Sequence, residues 1–413
     1  MTNKAFYFII ILILTNFACQ DEGVQPKDEN LPQLRAISAS EQAVVAASNN
    51  FAFNLMQKIE QQEAGNYFIS PLSVSYALAM TANGAGGNTE QEIRQVLDFG
   101  DLTRQDMNQA FRELSGFLLG LDQKTKLEIA NSIWFKNDLE VKPTFQNDME
   151  KYYEAGVKGL DFSDQAAVNT INEWISDKTE GKINDVLQSI PPEAVMYLIN
   201  ALYFKADWRY QFEESKTQKD DFYTPEGVIQ VDMMESEGAK LNYFQNDFMQ
   251  LIDIPYGNGQ FSMSIIMPHA QDEIENLAEQ FNLDNFNDWV SEADTITTKL
   301  FLPKFKLEYK TSLNQPLQDL GIKQAFTNKA EFPDLFENEL PLEISKVIHQ
   351  TFLEIDEKGS EAAAVTVVEI GVTSIGGGQP AAIRVNKPFI LVIREKHSNT
   401  LLFMGKILNP AGQ

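Results

Sequence analysis

Three histidines, one cysteine and a run of small residues near the C-terminus are the features of this sequence that could carry chemistry. His269 follows Met267-Pro268 and reads as an exposed turn, and His397, in Glu395-Lys396-His397-Ser398-Asn399, reads as a hairpin tip. His349 lies inside a strand-like run, where a histidine is ordinarily a satisfied core residue. The chain contains no Gly-x-Ser-x-Gly elbow and no His-Glu-x-x-His pair. Three histidines leave little for a metal site, and one cysteine cannot close a disulfide within the chain. No catalytic residue, metal or cofactor is therefore expected. Asn83-Gly84-Ala85-Gly86-Gly87-Asn88-Thr89 imitates a phosphate-cradling loop, but no strand precedes it and no lysine follows. A helix closed by glycine, followed by one capped at Asn88 or Thr89, accounts for it instead.

The remaining chemistry belongs to a segment able to change state. Residues 346–356 read as a strand, and Glu357-Lys358-Gly359 follows as a hinge. Beyond it the residues alternate. One parity reads Ser360, Ala362, Ala364, Thr366, Val368, Ile370: uncharged throughout and small at its start. The other parity carries Glu361 and Glu369. Alternation with β-branched residues is a strand signal. Yet the run ends at Gly376-Gly377-Gly378-Gln379-Pro380, where a loop belongs.

The rest of the chain must position this segment. A length of 413 residues alone suggests two or three domains. No linker divides the chain after residue 40, so residues 40–413 are read as one large domain, and 43% hydrophobic residues supply its core. A net charge of −26 argues for a solubilising surface and against nucleic acid, heparin or anionic lipid as direct partners. Val44, Ala47, Phe51, Leu55 and Ile59 form a helical stripe, with Ser40 as its cap. Residues 74–82 are apolar nearly all round and read as a buried helix. Met107, Phe111, Leu114 and Leu118 give another helical face. Residues 127–135 read as a strand buried on both sides, and residues 195–205 as a second central strand with Trp208 after it. Alternation over 261–267 and 299–307 suggests further strands. Helices and strands are interspersed without a strict βαβ repeat, which makes the fold class α+β.

The N-terminus reads as an address. Residues 1–18 carry Lys4 and an apolar stretch too short for a good membrane span, the pattern of a cleaved export signal. Ala18-Cys19 resembles the bacterial lipoprotein processing site, at which the cysteine is lipidated, although Asn16-Phe17 departs from that motif. Gln20-Asp21-Glu22 looks like the acidic tag that sends some lipoproteins to the outer surface. Residues 19–39 are polar, with Pro26 and Pro32, and read as a disordered tether. An extracellular or outer-membrane-surface location, anchored by lipid, is expected.

Glu357-Lys358-Gly359-Ser360-Glu361-Ala362-Ala363-Ala364 resembles the reactive-loop hinge of the serpins. Ile383-Arg384-Val385-Asn386-Lys387-Pro388-Phe389 resembles their C-terminal signature, and Leu402-Phe403-Met404-Gly405-Lys406-Ile407 their last strand. Ile171-Asn172-Glu173-Trp174-Ile175 with Thr179-Glu180-Gly181-Lys182-Ile183 is similar to the helix that crosses their main sheet. The likeness runs from about residue 40 to residue 410. It implies several helices around a large central mixed β-sheet, smaller sheets and an exposed reactive-centre loop. It implies a monomeric inhibitor whose partners are target proteases, or, as the alternative, a non-inhibitory binding or carrier protein. Ser70, Ser73, Asn200 and His349 would form the shutter beneath the sheet, and Trp208 would mark the breach where insertion begins. A protease would cut Thr373-Ser374, and the hinge at Glu357, Gly359, Ser360, Ala362, Ala363 and Ala364 would enter the sheet before the acyl-enzyme hydrolyses. Val372 and Thr373 suit elastase-like or subtilisin-like serine proteases, and Gly376 to Gly378 leave papain-like cysteine proteases as further targets. No Arg or Lys lies between Lys358 and Arg384, so trypsin-like enzymes are not expected.

The residues add their own argument. A strand entering a packed sheet must lead with small side chains, and Ser360, Ala362 and Ala364 do so. Roughly a dozen new backbone hydrogen bonds, at about 1 kcal/mol net each, make on the order of 10 kcal/mol. A metastable starting state is therefore credible.

Overall fold

A serine and an acid three residues apart start the first helix. The computed structural model describes residues 34–337, 342–360 and 382–412. In it, α1 (Ala39–Glu60) is capped by Ser38 and not by Ser40. Ser38 Oγ accepts the backbone N–H of Glu41 at 3.2 Å, and the Glu41 carboxylate accepts that of Ser38 at 2.9 Å. Ser40 falls inside the first turn, and only Ser38 has an acid three positions on. The stripe Val44, Ala47, Phe51, Leu55, Ile59 is buried throughout.

Strand β1 (Tyr67–Ile69) leads to α2 (Pro71–Gly84), which has Ser70 as its cap and proline in its first turn. Every residue of α2 is buried, as its apolar surround requires. Helix α3 (Gly87–Val96) has no side-chain cap of its own. The expected caps are used differently: Glu331 accepts the Asn88 N–H at 2.9 Å, and Thr89 Oγ1 accepts the Glu331 N–H at 3.0 Å. A carboxylate at a helix N-terminus complements both the free donors and the dipole, so the cap comes from a distant part of the chain. In α4 (Arg104–Gly120), Met107, Phe111, Leu114 and Leu118 face inward.

The next elements supply three strands of the smaller of the two sheets and the helices around them. They are β2 (Lys126–Lys136), α5 (Pro143–Asp148), β3 (Gly156–Leu160), α6 (Gln165–Lys178) and β4 (Met196–Asp207). β2 is buried from Ala130 to Phe135, while Glu128 and Ile129 are only partly covered. A second layer follows: β5 (Gln218–Thr224), β6 (Gly227–Gln245), β7 (Met249–Pro255), β8 (Phe261–Pro268), α7 (Ile274–Gln280), α8 (Leu283–Ser291) and β9 (Asp294–Pro303). The alternation over 299–307 is not one strand. It breaks at Lys304, and β10 (Phe305–Ser312) belongs to the other sheet. Then come α9 (Asn314–Leu320), β11 (Ile344–Ile355), β12 (Gly359–Ser360), β13 (Ala382–Arg384), β14 (Phe389–Glu395) and β15 (Leu401–Ile407).

Among the described residues, one sheet has nine strands, ordered β1-β15-β14-β8-β7-β6-β9-β13 with β5 on β6. The other is ordered β10-β11-β12-β4-β2-β3. It is mixed: β4 and β11 are parallel, as are β2 and β3, whereas β2–β4 and β10–β11 are antiparallel. The two sheets meet through Phe204, whose ring lies 5.3 Å from Tyr256, 5.7 Å from Phe261 and 6.3 Å from Phe403. Helix α6 crosses the opposite face, with Trp174 edge-on to Trp134 at 5.8 Å. Ile171 and Ile175 are buried there with residues of β2 and β4.

Candidate functional site

The site is a seam. β4 and β11 pair directly over Ile344–Thr351, with Val347 opposite Leu198, Ile348 opposite Ile199 and His349 opposite Asn200. Above Thr351 they part. There β12 enters between them: Ser360 lies opposite Ala206 on β4 and opposite Ile355 on β11. It is antiparallel to both. The hinge is thus already the first rung of a strand.

A short turn doubles the chain back. The Asp356 carboxylate accepts the N–H groups of Lys358 (2.9 Å) and Gly359 (3.0 Å), and the Asp356 N–H donates to Gly359 O at 3.0 Å. Gly359 is required for room, not for a left-handed φ. A Cβ there would sit 2.1 Å from Ala206 O and 2.6 Å from Asp207 Cα. Trp208 holds the turn from below, with its backbone N–H on Lys358 O at 2.7 Å and its indole N–H on Asp356 O at 2.9 Å. Its ring stacks on Tyr256 at 4.5 Å and 9°. The Tyr256 hydroxyl meets Ser360 Oγ at 2.7 Å, with both residues buried.

Glu357 anchors the outer side of the turn. Its carboxylate accepts from Lys304 Nζ and Thr217 Oγ1, each at 2.8 Å. Burial would push this carboxyl up, but the two donors outweigh it and hold its pKa below the ordinary glutamate value. The Phe212 N–H donates to Glu357 O at 2.8 Å, which closes the network.

Further down, a polar row crosses the seam. Asn131 on β2, Asn200 on β4 and His349 on β11 stand side by side in register. The backbone N–H of Ser70 donates to His349 Nε2 at 2.9 Å, so that nitrogen carries no proton. Nδ1 therefore carries it and donates to Asn200 Oδ1 at 2.7 Å. Burial drives the imidazole pKa down from 6.5 to about 3. Asn200 Nδ2 donates towards Ser73 and Asn131 Oδ1, and Ser70 Oγ donates to Leu402 O at 2.8 Å. Asn131 Nδ2 has no hydrogen-bond partner among the described residues. A segment that follows α6 covers the other face of the seam. Its Ile183, Val186, Leu187 and Ile190 share one apolar cluster with Tyr197, Ile199, Ala201, Ile348 and Phe352.

Of the residues singled out in the sequence, Ser70, Ser73, Asn200 and His349 come together in one buried network. Trp208, Glu357, Gly359 and Ser360 come together at the parted end of the seam. Ala362, Ala363, Ala364, Thr373, Ser374 and Cys19 lie outside the described residues. Sequence reasoning missed Tyr256, Lys304, Thr217 and Asn131. A buried strand polar at the position facing another polar residue is the one signal that could have exposed Asn131. Nothing local marks the other three.

The fold and seam define a class of protein: two packed sheets in which a parallel strand pair is parted at one end by the root of a long connection. A family model described as "Serpin (serine protease inhibitor)" matches residues 46–410. An uncharacterized serpin-like protein of Methanosarcina acetivorans is 31% identical over 98% of both chains. Iripin-1 of Ixodes ricinus is 34% identical over 87% of this chain and 93% of its own. Human thyroxine-binding globulin, solved with its hormone, superposes with a TM-score of 0.83 at 28% identity, covering 91% of this chain and 100% of that one. The chain belongs to the serpin family.

Proposed function

We propose that this serpin inhibits serine proteases by suicide-substrate trapping, with elastase-like or subtilisin-like enzymes as targets. The observation that supports this most is the position of β12 between β11 and β4. A chain that reverses at Glu357-Lys358-Gly359 must run antiparallel to β11, and hence antiparallel to the parallel β4. Continued insertion therefore needs no rearrangement of direction. The inserted strand exchanges one β4–β11 ladder for two, a net gain of about one hydrogen bond per added residue, roughly 1 kcal/mol apiece.

The target's serine Oγ attacks the Thr373 carbonyl, and the amine of Ser374 leaves. Thr373 stays esterified to the protease while the hinge end of the cut loop slides into the seam and carries the enzyme with it. The protein itself supplies no catalytic group to this sequence. It supplies the sheet, the seam and the released strain.

Export and lipidation at Cys19, placing the inhibitor at an extracellular or outer-membrane surface, form part of the same reading. Among the described residues no helix is long and apolar enough to cross a membrane, and residues 1–33 lie outside them.

Incubation with neutrophil elastase, followed by denaturing electrophoresis, tests the reading. A covalent complex larger than either protein supports it. Cleavage without a complex, and without any rise in thermal stability, favours a non-inhibitory binding or carrier protein. Turnover of a substrate by this protein alone would make it an enzyme.

A further inference from the structure

Asp122 stands in the turn between α4 and β2, and it is buried. One of its oxygens serves that turn: Oδ1 accepts the N–H of Lys124, two residues on, at 2.9 Å. The other reaches out of it. Oδ2 accepts the backbone N–H of Asn258 at 3.1 Å, beside the Thr125 hydroxyl at 3.3 Å. Asn258 adds a second tie, from Nδ2 to Leu121 O at 2.8 Å. The approach is so close that a Cβ on Gly257 would lie 2.1 Å from Oδ2. Turn chemistry explains Oδ1, but not a buried oxygen given to a residue 136 positions away.

Asn258 belongs to the tight reversal between β7 and β8, and Tyr256 is the first residue of that reversal. The Tyr256 N–H donates to Phe261 O at 2.9 Å, and Tyr256 O accepts the Gly259 N–H at 2.7 Å. Both backbone groups of Tyr256 are thus used inside the reversal, which thereby sets the direction in which its side chain leaves. On one side the reversal is held by the end of β4: the Gly257 N–H donates to Asp207 O at 2.8 Å, and Arg209 donates to Asn258 O at 2.6 Å. On the other side it is held by Asp122 and Leu121. Between the two holds stands the ring that stacks on Trp208 and whose hydroxyl meets Ser360.

We propose that Asp122 is a positioning residue for the hinge: its carboxylate fixes the 256–260 reversal and, through it, the grip of Tyr256 on Ser360. A carboxylate suits the task because both of its oxygens accept. An amide of the same shape has one acceptor and must turn its NH2 towards either the Lys124 or the Asn258 N–H. Loosening the tie frees Ser360 from the first rung of the seam. A cut loop then starts its entry unseated, and hydrolysis of the acyl-enzyme gains on trapping. The positioning stands on contacts in the resting protein; its effect on trapping rests on the inhibitory reading above.

The test compares full-length wild type with Asp122→Asn, Asn258→Ala, Thr125→Val, Ser360→Ala and the double variant Asp122→Asn/Ser360→Ala. Amide deuterium exchange is followed by mass spectrometry on the intact proteins, and the inhibitor consumed per elastase inactivated is titrated. Asp122→Asn should speed exchange over residues 256–260 by roughly tenfold or more, as the loss of a bond to a charged group would, and over 356–360 by roughly two- to tenfold. Inhibitor consumption should rise by about the same two- to tenfold. Asn258→Ala removes the tie to Leu121 O and the Oδ1 acceptor of the Gln260 N–H. It should move all three readings the same way, and it carries the test if Asp122→Asn does not fold. Thr125→Val takes one donor from the carboxylate and nothing from the reversal, so it should match wild type. In the Ser360→Ala background, Asp122→Asn should raise consumption no further, because the grip it acts through is gone. A residue that only stabilised the fold would add its cost in both backgrounds. Unchanged exchange over 356–360 in Asp122→Asn overturns the proposal, and so does an equal rise in consumption with and without the Ser360 hydroxyl. If wild type forms no complex with elastase, the inhibitory reading fails, and exchange alone decides whether Asp122 positions Tyr256.

Discussion

The hydroxyls of Ser360 and Tyr256 lie 2.7 Å apart in a buried site, and the Tyr256 ring stacks on Trp208 at 4.5 Å. The first residue of the alternating segment is thus held before any protease arrives. Tyr256→Phe leaves the Ser360 hydroxyl without its partner and should destabilise the intact protein by about 1–3 kcal/mol, and Ser360→Ala should do the same to Tyr256. The double variant should cost clearly less than the sum, because neither group is then left alone. Urea unfolding of the four proteins measures the coupling; additive effects would show that the contact contributes nothing.

Gly359 has no space for a methyl group against Ala206 O. Gly359→Ala should therefore expel β12 from the seam and free Trp208 from the turn carbonyls that its indole and backbone N–H now hold. A change in tryptophan emission, together with faster proteolysis of residues 356–360, is the expected outcome. Unchanged emission and unchanged proteolysis would mean that the turn accommodates the methyl without moving.

His349 gives a pH dependence with a definite sign. Its pKa falls from 6.5 to about 3 because burial opposes the charged form. Between those values the unfolded chain binds a proton that the folded chain refuses, so stability rises with pH across that window. The contribution is complete above about pH 6.5 and is lost on acidification towards pH 3, at up to about 1.4 kcal/mol per unit. His349→Gln retains an acceptor for Ser70 and a donor for Asn200 and should flatten this slope. Denaturant midpoints of both proteins from pH 7 to pH 5 check it, a range that lies above the ordinary value of 4.5 for Glu357, whose lowered carboxyl loses its own contribution only below that.

A charge at the leading position should block the mechanism without preventing cleavage. Ser360→Arg places a guanidinium in a site closed to water, where an unpaired charge is very costly. The variant should be cut as a substrate and form little covalent complex. A complex formed at the wild-type stoichiometry would falsify the insertion account.

Cys19→Ala should release the protein from membranes if the cysteine carries lipid. Fractionation of cells expressing the two forms decides it, and equal membrane association would exclude the anchor.

Much of the fold was legible because its signals are local. The buried helix α2 is apolar on nearly every side over consecutive residues, β4 is an apolar run of strand length, and β11 carries a strand pattern. The hinge was legible as a contradiction between pattern and place. Other features were hidden because their partners are far apart in the chain. Glu331 caps α3, Lys304 and Thr217 hold Glu357, and Tyr256 holds Ser360, and no periodicity links such pairs. The first helix was misread at its cap because Ser38 and Ser40 look alike until the acid at 41 is paired with one of them. The break at Lys304 was missed because alternation continues across it while the chain changes sheets.

By itself, the order of residues determined that positions 360–370 alternate with small side chains at the start, that a hinge falls at Glu357-Lys358-Gly359, and that His349 sits in a core strand. Those properties depend on side-chain size, charge and spacing, which are written locally. Only the tertiary structure decided that β4 and β11 are parallel neighbours, that Ser360 is already seated between them, and that the polar row stands six residues below it. Pairing and register are relations between distant segments, set by which hydrogen-bond ladders can be satisfied together, and no single segment carries them.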